Sequence, residues 1–445
     1  MLGRRLSPFA LVIAATALFA LDAWATPTAT ATATPASGAK VAVKSDAGPT
    51  FPARNVGEHA IIRAYELPPE RLGTAEQAAH VNNVTYFVSL ALMLALLVLA
   101  LRLRVAAKIV AFSARITRRR VLQTFVFAAA FVVLGQIAST PIDIWEHLLW
   151  HHYGLSVQSW GSFAADNAKD LVFSLVTVPP CVWLMYWVIR RSPRRWWLWT
   201  WIVFAPVVLF MGFIQPAVIA PLYDSYTPLA TTQPALVARI REIAVRHGED
   251  IPAERIFEQN ASAKTQTINA FVRGYGGSKR IIVWDTALRA MNQREIIFLV
   301  AHELGHYVEG HILIATLASL VGLFLALYFS SRIIDWVIRR RGVSLSIESV
   351  ASLESFPLFL LVMTLMFRLN EPAQNTMWRY LEHRADAFAL TAIRGVVDDP
   401  PQAAAHSLQR LGELSLARPN PSPLIVFWFY NHPTYADRIR FVLSQ

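Results

Sequence analysis

Apolar residues along this chain gather into windows nearly free of charge, at 84–101, 121–140, 171–189, 196–219, 312–330 and 356–367. An apolar stretch of about 18 residues or more predicts a helix that crosses a bilayer. Pro206 and Pro216 interrupt the fourth window, and the last is shorter than the others. A further apolar run, 9–21, follows Arg4 and Arg5 and is closed by Ala23-Trp24-Ala25. Basic, apolar and small residues in that order form a secretory signal peptide, either removed or kept as an N-terminal anchor over 1–25. The remaining chain divides by pattern. Residues 26–82 predict low-complexity, extracytoplasmic chain; 83–220 four transmembrane helices; 312–370 a transmembrane hairpin; and 221–311 with 371–445 the two parts of one polar layer.

Composition strengthens this picture. Of 445 residues, 55% are hydrophobic and only 16% charged, too few charges to cover a soluble surface of that size. The net charge of +11 does not mark a nucleic-acid binder, because the basic residues sit in short clusters between apolar windows and not on one broad face. Arg102, Arg104, Lys108, Arg115, Arg118, Arg119 and Arg120 fill the first such loop. Arg190, Arg191, Arg194 and Arg195 fill the second, and Arg332, Arg339, Arg340 and Arg341 the third. Basic loops face the cytoplasm. With a span between each pair, 141–170, 221–311 and the C-terminal segment fall on the opposite side, the periplasmic side of a bacterial inner membrane. Cys181 is the single cysteine and lies in an apolar window, so neither an intrachain disulfide nor a multi-thiolate metal site can form.

The chemistry is concentrated in His302-Glu303-Leu304-Gly305-His306. On a helix, positions four apart share a face, so both imidazoles converge on one point that can hold a metal ion. Glu303, one position along, can reach a water on that metal and take its proton. Asn292 with Glu295 three residues later predicts the helix start. Two histidines and a glutamate among Phe298, Leu299 and Val300 would be costly to bury with nothing bound. The pattern therefore predicts one Zn2+ per chain. His147, His151, His152 and His311 read as structural or solvated.

A catalytic zinc needs a third protein ligand. Glu382 is a candidate, and Asp386 lies one helical turn later on the same face, where its carboxylate can orient a ligand histidine. Spacing alone leaves an ordinary reading equally open: an acidic pair beside Arg379 and Arg384 on a solvated helix.

These motifs resemble those of the M48 zinc metalloproteases, and most closely the Ste24 type, the CAAX prenyl protease 1 branch. The resemblance is carried by His302–His306 with Gly310-His311, and by Arg379, Glu382 and Ala385-Asp386-Ala387-Phe388-Ala389. It extends to Leu67-Pro68-Pro69-Glu70, Ile219-Ala220-Pro221-Leu222-Tyr223, Asn269-Ala270-Phe271, 279–286 and His432-Pro433 with Arg438. It implies Glu382 as third zinc ligand. It also implies a mainly α-helical, polytopic fold, a barrel of six to seven transmembrane helices around a chamber, capped by a zincin-like domain with a small β-sheet. By the same resemblance Asn269, Ala270 and Phe271 lie on an edge strand that pairs with extended substrate, and His432 and Arg438 stand near the scissile carbonyl. Trp378 departs from the family, which usually has Ser there. The orientation departs too, since prenylated CAAX proteins are made in the cytosol.

The sequence thus predicts a membrane-embedded zinc endopeptidase acting on a peptide or protein substrate, lipidated or membrane-associated, in contact with the bilayer and with no nucleic acid. A quality-control peptidase without a lipid requirement is a second reading. A third, a zinc-stabilised scaffold or lipid-binding chamber, is opposed by Glu303, because a purely structural site needs no general base.

Overall fold

A computed structural model describes residue 54 and residues 56–214, 219–274 and 279–445. The expected signal peptide and most of the low-complexity stretch lie outside the described residues. Among those described, five helices are long and apolar enough to cross a membrane. They are α1 (Pro69–Arg102), α3 (Arg120–His152), α4 (Trp160–Arg191), α8 (His311–Leu345) and α9 (Phe356–Ala392). The shorter helices of this part are α2 (Val105–Ile116) and α5 (Trp196–Ile214). The fourth expected span, 196–219, is described as helix from Trp196 to Ile214, and residues 215–218 lie outside the described residues.

Each long helix outruns the window that announced it. Helix α1 begins at Pro69 and α4 at Trp160, because their first halves are helical but polar, and an apolar window registers only the second half. The same holds for α9, whose apolar start at 356–367 continues unbroken through Pro372 to Ala392. The boundary expected at 370 falls inside this helix. Membrane helices tolerate such prolines.

The helices close into a ring. Along it α1 packs against α9, α9 against α8, α8 against α5, α5 against α4, α4 against α3, α3 against α2 and α2 against α1. A helix that touches two ring neighbours keeps an outer face and an inner face open, and only 28–39% of the apolar windows of α1, α3, α4 and α8 is buried. At the end carrying the basic loops the ring is filled by an apolar core that includes Leu97, Ile109, Phe127, Phe131, Tyr186, Trp196, Leu327, Phe356 and Phe359. At the other end the helices meet through polar contacts. Tyr86 donates to Glu371 at 2.5 Å, Trp145 Nε1 to Thr85 at 3.0 Å and Tyr223 to Asp170 at 2.7 Å.

The polar layer caps that second end. Strands β1 (Tyr226–Pro228), β2 (Ile256–Gln259), β3 (Ala270–Arg273) and β4 (Arg280–Trp284) form a mixed sheet in the order β1-β2-β4-β3, with β2 and β4 parallel and the other pairs antiparallel. Alternation sorts its faces. Ala270, Val272, Ile281 and Val283 point into the core shared with α6 (Pro234–Arg246) and α7 (Gln293–Val308), while Phe271, Ile282 and Trp284 form a small cluster on the reverse. Helices α10 (Pro400–Leu414), α11 (Pro423–Phe429) and α12 (Tyr435–Leu443) complete the layer.

Two features fasten the layer. Lys264 of the β2–β3 loop bonds Asp166 of α4 at 2.9 Å, a pair almost wholly buried and supported by Gln158 at 2.7 Å. The chain before α1 lies along α10, where Gln402 exchanges hydrogen bonds with both backbone groups of Ile62, and Gln409 does the same with Glu66. Arg54, at the start of that strap, grips Glu295 with both terminal nitrogens, at 2.6 and 2.9 Å.

Candidate metal centre and active site

Helix α7 starts as its sequence requires. Asn292 caps the backbone of Glu295, Glu295 returns a bond to Asn292 N, and Arg54 neutralises the buried carboxylate. From that fixed start His302 and His306 project from one face, their Nε2 atoms 3.2 Å apart. Gly305 lets α9 approach: a Cβ at this position would stand 2.9 Å from the Phe388 ring. The close crossing delivers Glu382, whose Oε2 lies 3.2 Å from His302 Nε2 and whose Oε1 lies 3.3 Å from His306 Nε2.

These distances fit a bound metal. A tetrahedral ion with N and O bonds of about 2.0–2.1 Å holds its ligand atoms about 3.3–3.4 Å from one another. Glu382 Oε2, though buried, makes no hydrogen bond, so its 3.2 Å approach to His302 lacks hydrogen-bond geometry and matches two ligands facing a shared cation. Burial opposes a proton on His302, but the Asp386 and Glu382 carboxylates outweigh it and raise the imidazole pKa to about 10. The cluster thus attracts positive charge. Two imidazoles and one carboxylate are the only such group among the described residues, and three protein donors leave a position for water, the pattern of a catalytic rather than a structural site.

Asp386, one turn beyond Glu382 on α9, accepts from His302 Nδ1 at 2.9 Å. This fixes the tautomer that turns the Nε2 lone pair toward the metal position. Arg438 of α12 binds Asp386 with Nε at 2.8 Å and a terminal nitrogen at 2.7 Å. Arg438 is buried and engaged by Asp386, with its remaining terminal nitrogen 4.0 Å from Glu382 Oε2. His432, with 26% of its side chain exposed, is the most open member of the group; its Nε2 lies 3.1 Å from Glu382 Oε1 and its Nδ1 2.8 Å from Asn431 Oδ1. The two residues flank Glu382, one on the solvent side and one on the core side. Burial pushes the Glu303 carboxyl above its ordinary pKa, with His302 and His306 pulling the other way.

Ala270 and Phe271 lie on β3, the edge strand of the sheet, which packs against α7. Asn269 immediately precedes it, its carbonyl accepting from Trp284 N at 3.1 Å and its side-chain oxygen from Ala270 N at 2.8 Å. Trp378 stands 6.2 Å from His306, ring to ring.

One arrangement was not read from the sequence. Gly310, at φ 69°, turns the chain between α7 and α8 so that His311 folds back onto His306, Nδ1 to Nδ1 at 3.0 Å. Glu309 holds His311 Nε2 at 3.0 Å and Arg384 holds Glu309 at 3.1 Å. If His311 donates through Nε2, its Nδ1 can accept only from His306 Nδ1–H, which again leaves Nε2 of the ligand free for the metal. A spacing of five residues predicts no shared helical face; the Gly310-His311 pair was the available signal.

Comparison with known proteins follows this geometry. Residues 230–445 match the model of peptidase family M48, and residues 66–225 match the CAAX prenyl protease N-terminal model, which has five membrane helices. An uncharacterized metalloprotease of Bacillus subtilis, YhfN, is 30% identical over 374 residues, 84% of this chain and 86% of its own. The chain belongs to peptidase family M48. Other M48 relatives include CAAX prenyl protease 1 of Saccharomyces cerevisiae, 27% identical over 72% of each chain, and its homolog in Arabidopsis thaliana, 26% identical over 72% of this chain and 73% of that one. The fold is similar to the crystal structure of S. mikatae Ste24p, with a TM-score of 0.72, 20% identity, and 98% and 99% of the two chains covered. This M48 chain is an integral membrane metallopeptidase, and its barrel of helices with a small mixed sheet is the fold the sequence led us to expect.

Proposed function

We propose that the metal is zinc and that the enzyme is an endopeptidase which cuts polypeptide on the extracytoplasmic side of a bacterial inner membrane. The observation that carries this reading is the His302, His306 and Glu382 cluster, whose mutual distances of 3.2–3.3 Å suit a tetrahedral ion with N and O ligands. Zinc, when bound, polarises water and the peptide carbonyl. Glu303 takes a proton from that water and passes it to the departing amine, a role its raised pKa favours. Asp386 keeps His302 in the ligating tautomer, and Arg438 holds Asp386 in place. His432, on the exposed side, is the group suited to meet the carbonyl oxygen as charge develops there. Asn269, Ala270 and Phe271 offer a strand edge, which binds extended backbone with little regard to sequence. The orientation rests on the three basic loops, which gather at the ring end opposite the metal.

The names of the yeast and plant relatives favour a second reading, in which the substrate is a prenylated CAAX protein. One experiment separates them. Purified wild type and Glu303→Gln are assayed for zinc and offered a farnesylated CAAX peptide and its unlipidated twin. We expect one zinc in both proteins and cleavage of both peptides by the wild type alone. Cleavage confined to the lipidated peptide would establish the second reading and reverse the orientation, while turnover by Glu303→Gln would sink the mechanism.

A further inference from the structure

Helix α2, the connection between α1 and α3, has 12 residues and a length of about 18 Å, well short of a hydrocarbon core of about 30 Å. It has three sides. Ala106, Ile109 and Ser113 are buried against the ring. About 70° round the axis stand Phe112 and Ile116, 55% and 56% exposed. About 140° round, in the same sense, stand Lys108 and Arg115. A helix that presents apolar groups next to cations while its third side packs on a transmembrane core lies in the plane of the membrane surface.

Its surroundings set the depth. Trp187 and Trp336, both about half exposed, lie near the ends of α4 and α8. Arg191 stands 5.8 Å over the first ring and Arg340 5.4 Å over the second. Tryptophan with arginine one turn beyond marks the headgroup level. Arg104, the residue before α2, donates to Ser344 O at the end of α8, two turns or about 12 Å beyond Trp336, so α2 starts on the headgroup side of that tryptophan. From 102 to 122 the chain carries seven basic residues and no acidic one; the turn Leu353–Ser355, which packs against α2, brings the acid Glu354 to this rim, and Asp335 and Glu348 lie near it in sequence.

We propose that α2 and its flanking arginines form a binding surface for anionic phospholipid headgroups, with Phe112 and Ile116 inserted among the acyl chains and Lys108 and Arg115 on the phosphates. The surface favours phosphatidylglycerol over a zwitterionic lipid of the same chain length, because each cation near an anionic surface contributes about 1 kcal/mol, roughly a fivefold change. The proposal is independent of the peptidase chemistry at the opposite end of the ring.

The test uses the full chain, extracted from vesicles of three parts phosphatidylcholine to one part phosphatidylglycerol with matched acyl chains, and quantifies the lipids that remain bound. The wild type should be enriched in phosphatidylglycerol. Lys108→Gln with Arg115→Gln should lower that enrichment more than tenfold at unchanged zinc content, which reports an intact fold. Arg239→Gln with Arg246→Gln, an equal loss of charge on α6 in the opposite layer, should leave it unchanged. Lipid retained in the input ratio by the wild type would overturn the proposal, as would equal losses in the two double variants. Phe112→Ser supplies a second measure: it should reduce total retained lipid without changing the ratio, and a changed ratio with unchanged total would contradict the depth assigned to this residue.

Discussion

The two ends of the helix ring solve opposite problems with the same helices. At the basic end Phe127, Phe131, Tyr186, Trp196 and Phe356 fill the space between helices with apolar volume. At the other end carboxylates, imidazoles and guanidiniums are buried, and each is held by a partner whose own position is fixed. The first end is kept together by non-directional attraction. The second depends on directed bonds, in which removing one member strands another. This contrast teaches that stability and chemistry are carried by different halves of the same helices, most plainly in α9, which begins in the dry core and ends in the metal cluster.

The sharpest test of that division is Glu303→Gln. It should lower peptidase turnover roughly 10²–10⁴-fold with zinc content and thermal midpoint unchanged, and a parallel loss of zinc would mean that Glu303 shapes the site instead of moving a proton. Next is the buried joint between barrel and cap. Lys264→Met removes the shortest ion pair of the buried Asp166, leaving Gln158 at 2.7 Å and Lys169 at 3.9 Å beside it, and should cost about 1–3 kcal/mol of stability; Asp166→Leu added to it should restore part of the loss, which a denaturation series would show. At the dry end Phe127→Ala should cost about 3–5 kcal/mol, yet the zinc affinity of the molecules still folded should match wild type. A proportional fall in affinity would erase the distinction between the ends. The smallest effect belongs to the turn after α7: His311→Ala should weaken zinc retention against a chelator about 10–100-fold with little change in global stability, and His311→Asn, which can still accept a bond, should recover part of it.

How much of this was legible in sequence follows from which interactions are local. The His302–His306 spacing, the Asn292–Glu295 cap and the Glu382–Asp386 phase are all helical repeats, and a repeat can be read from one strand of text. The existence of the spans was legible for the same reason. Their lengths were not, because the polar halves of α1, α4 and α9 carry no apolar window to announce them. His311 escaped because Gly310 breaks the period between it and His306. That the Arg438 guanidinium binds Asp386 depends on the packing of α12 against α9, between residues far apart in sequence, which no local pattern announces. The strap at 54–68 left no trace, since Gln402 and Gln409 recognise its backbone and not its side chains.

Helix α9 joins Phe356 in the dry core to Glu382 at the metal by a continuous rise of about 39 Å, longer than a hydrocarbon core of about 30 Å. One continuous backbone thus carries both the packing of the dry core and the third donor of the metal cluster, so the distance between barrel and metal is set within a single element.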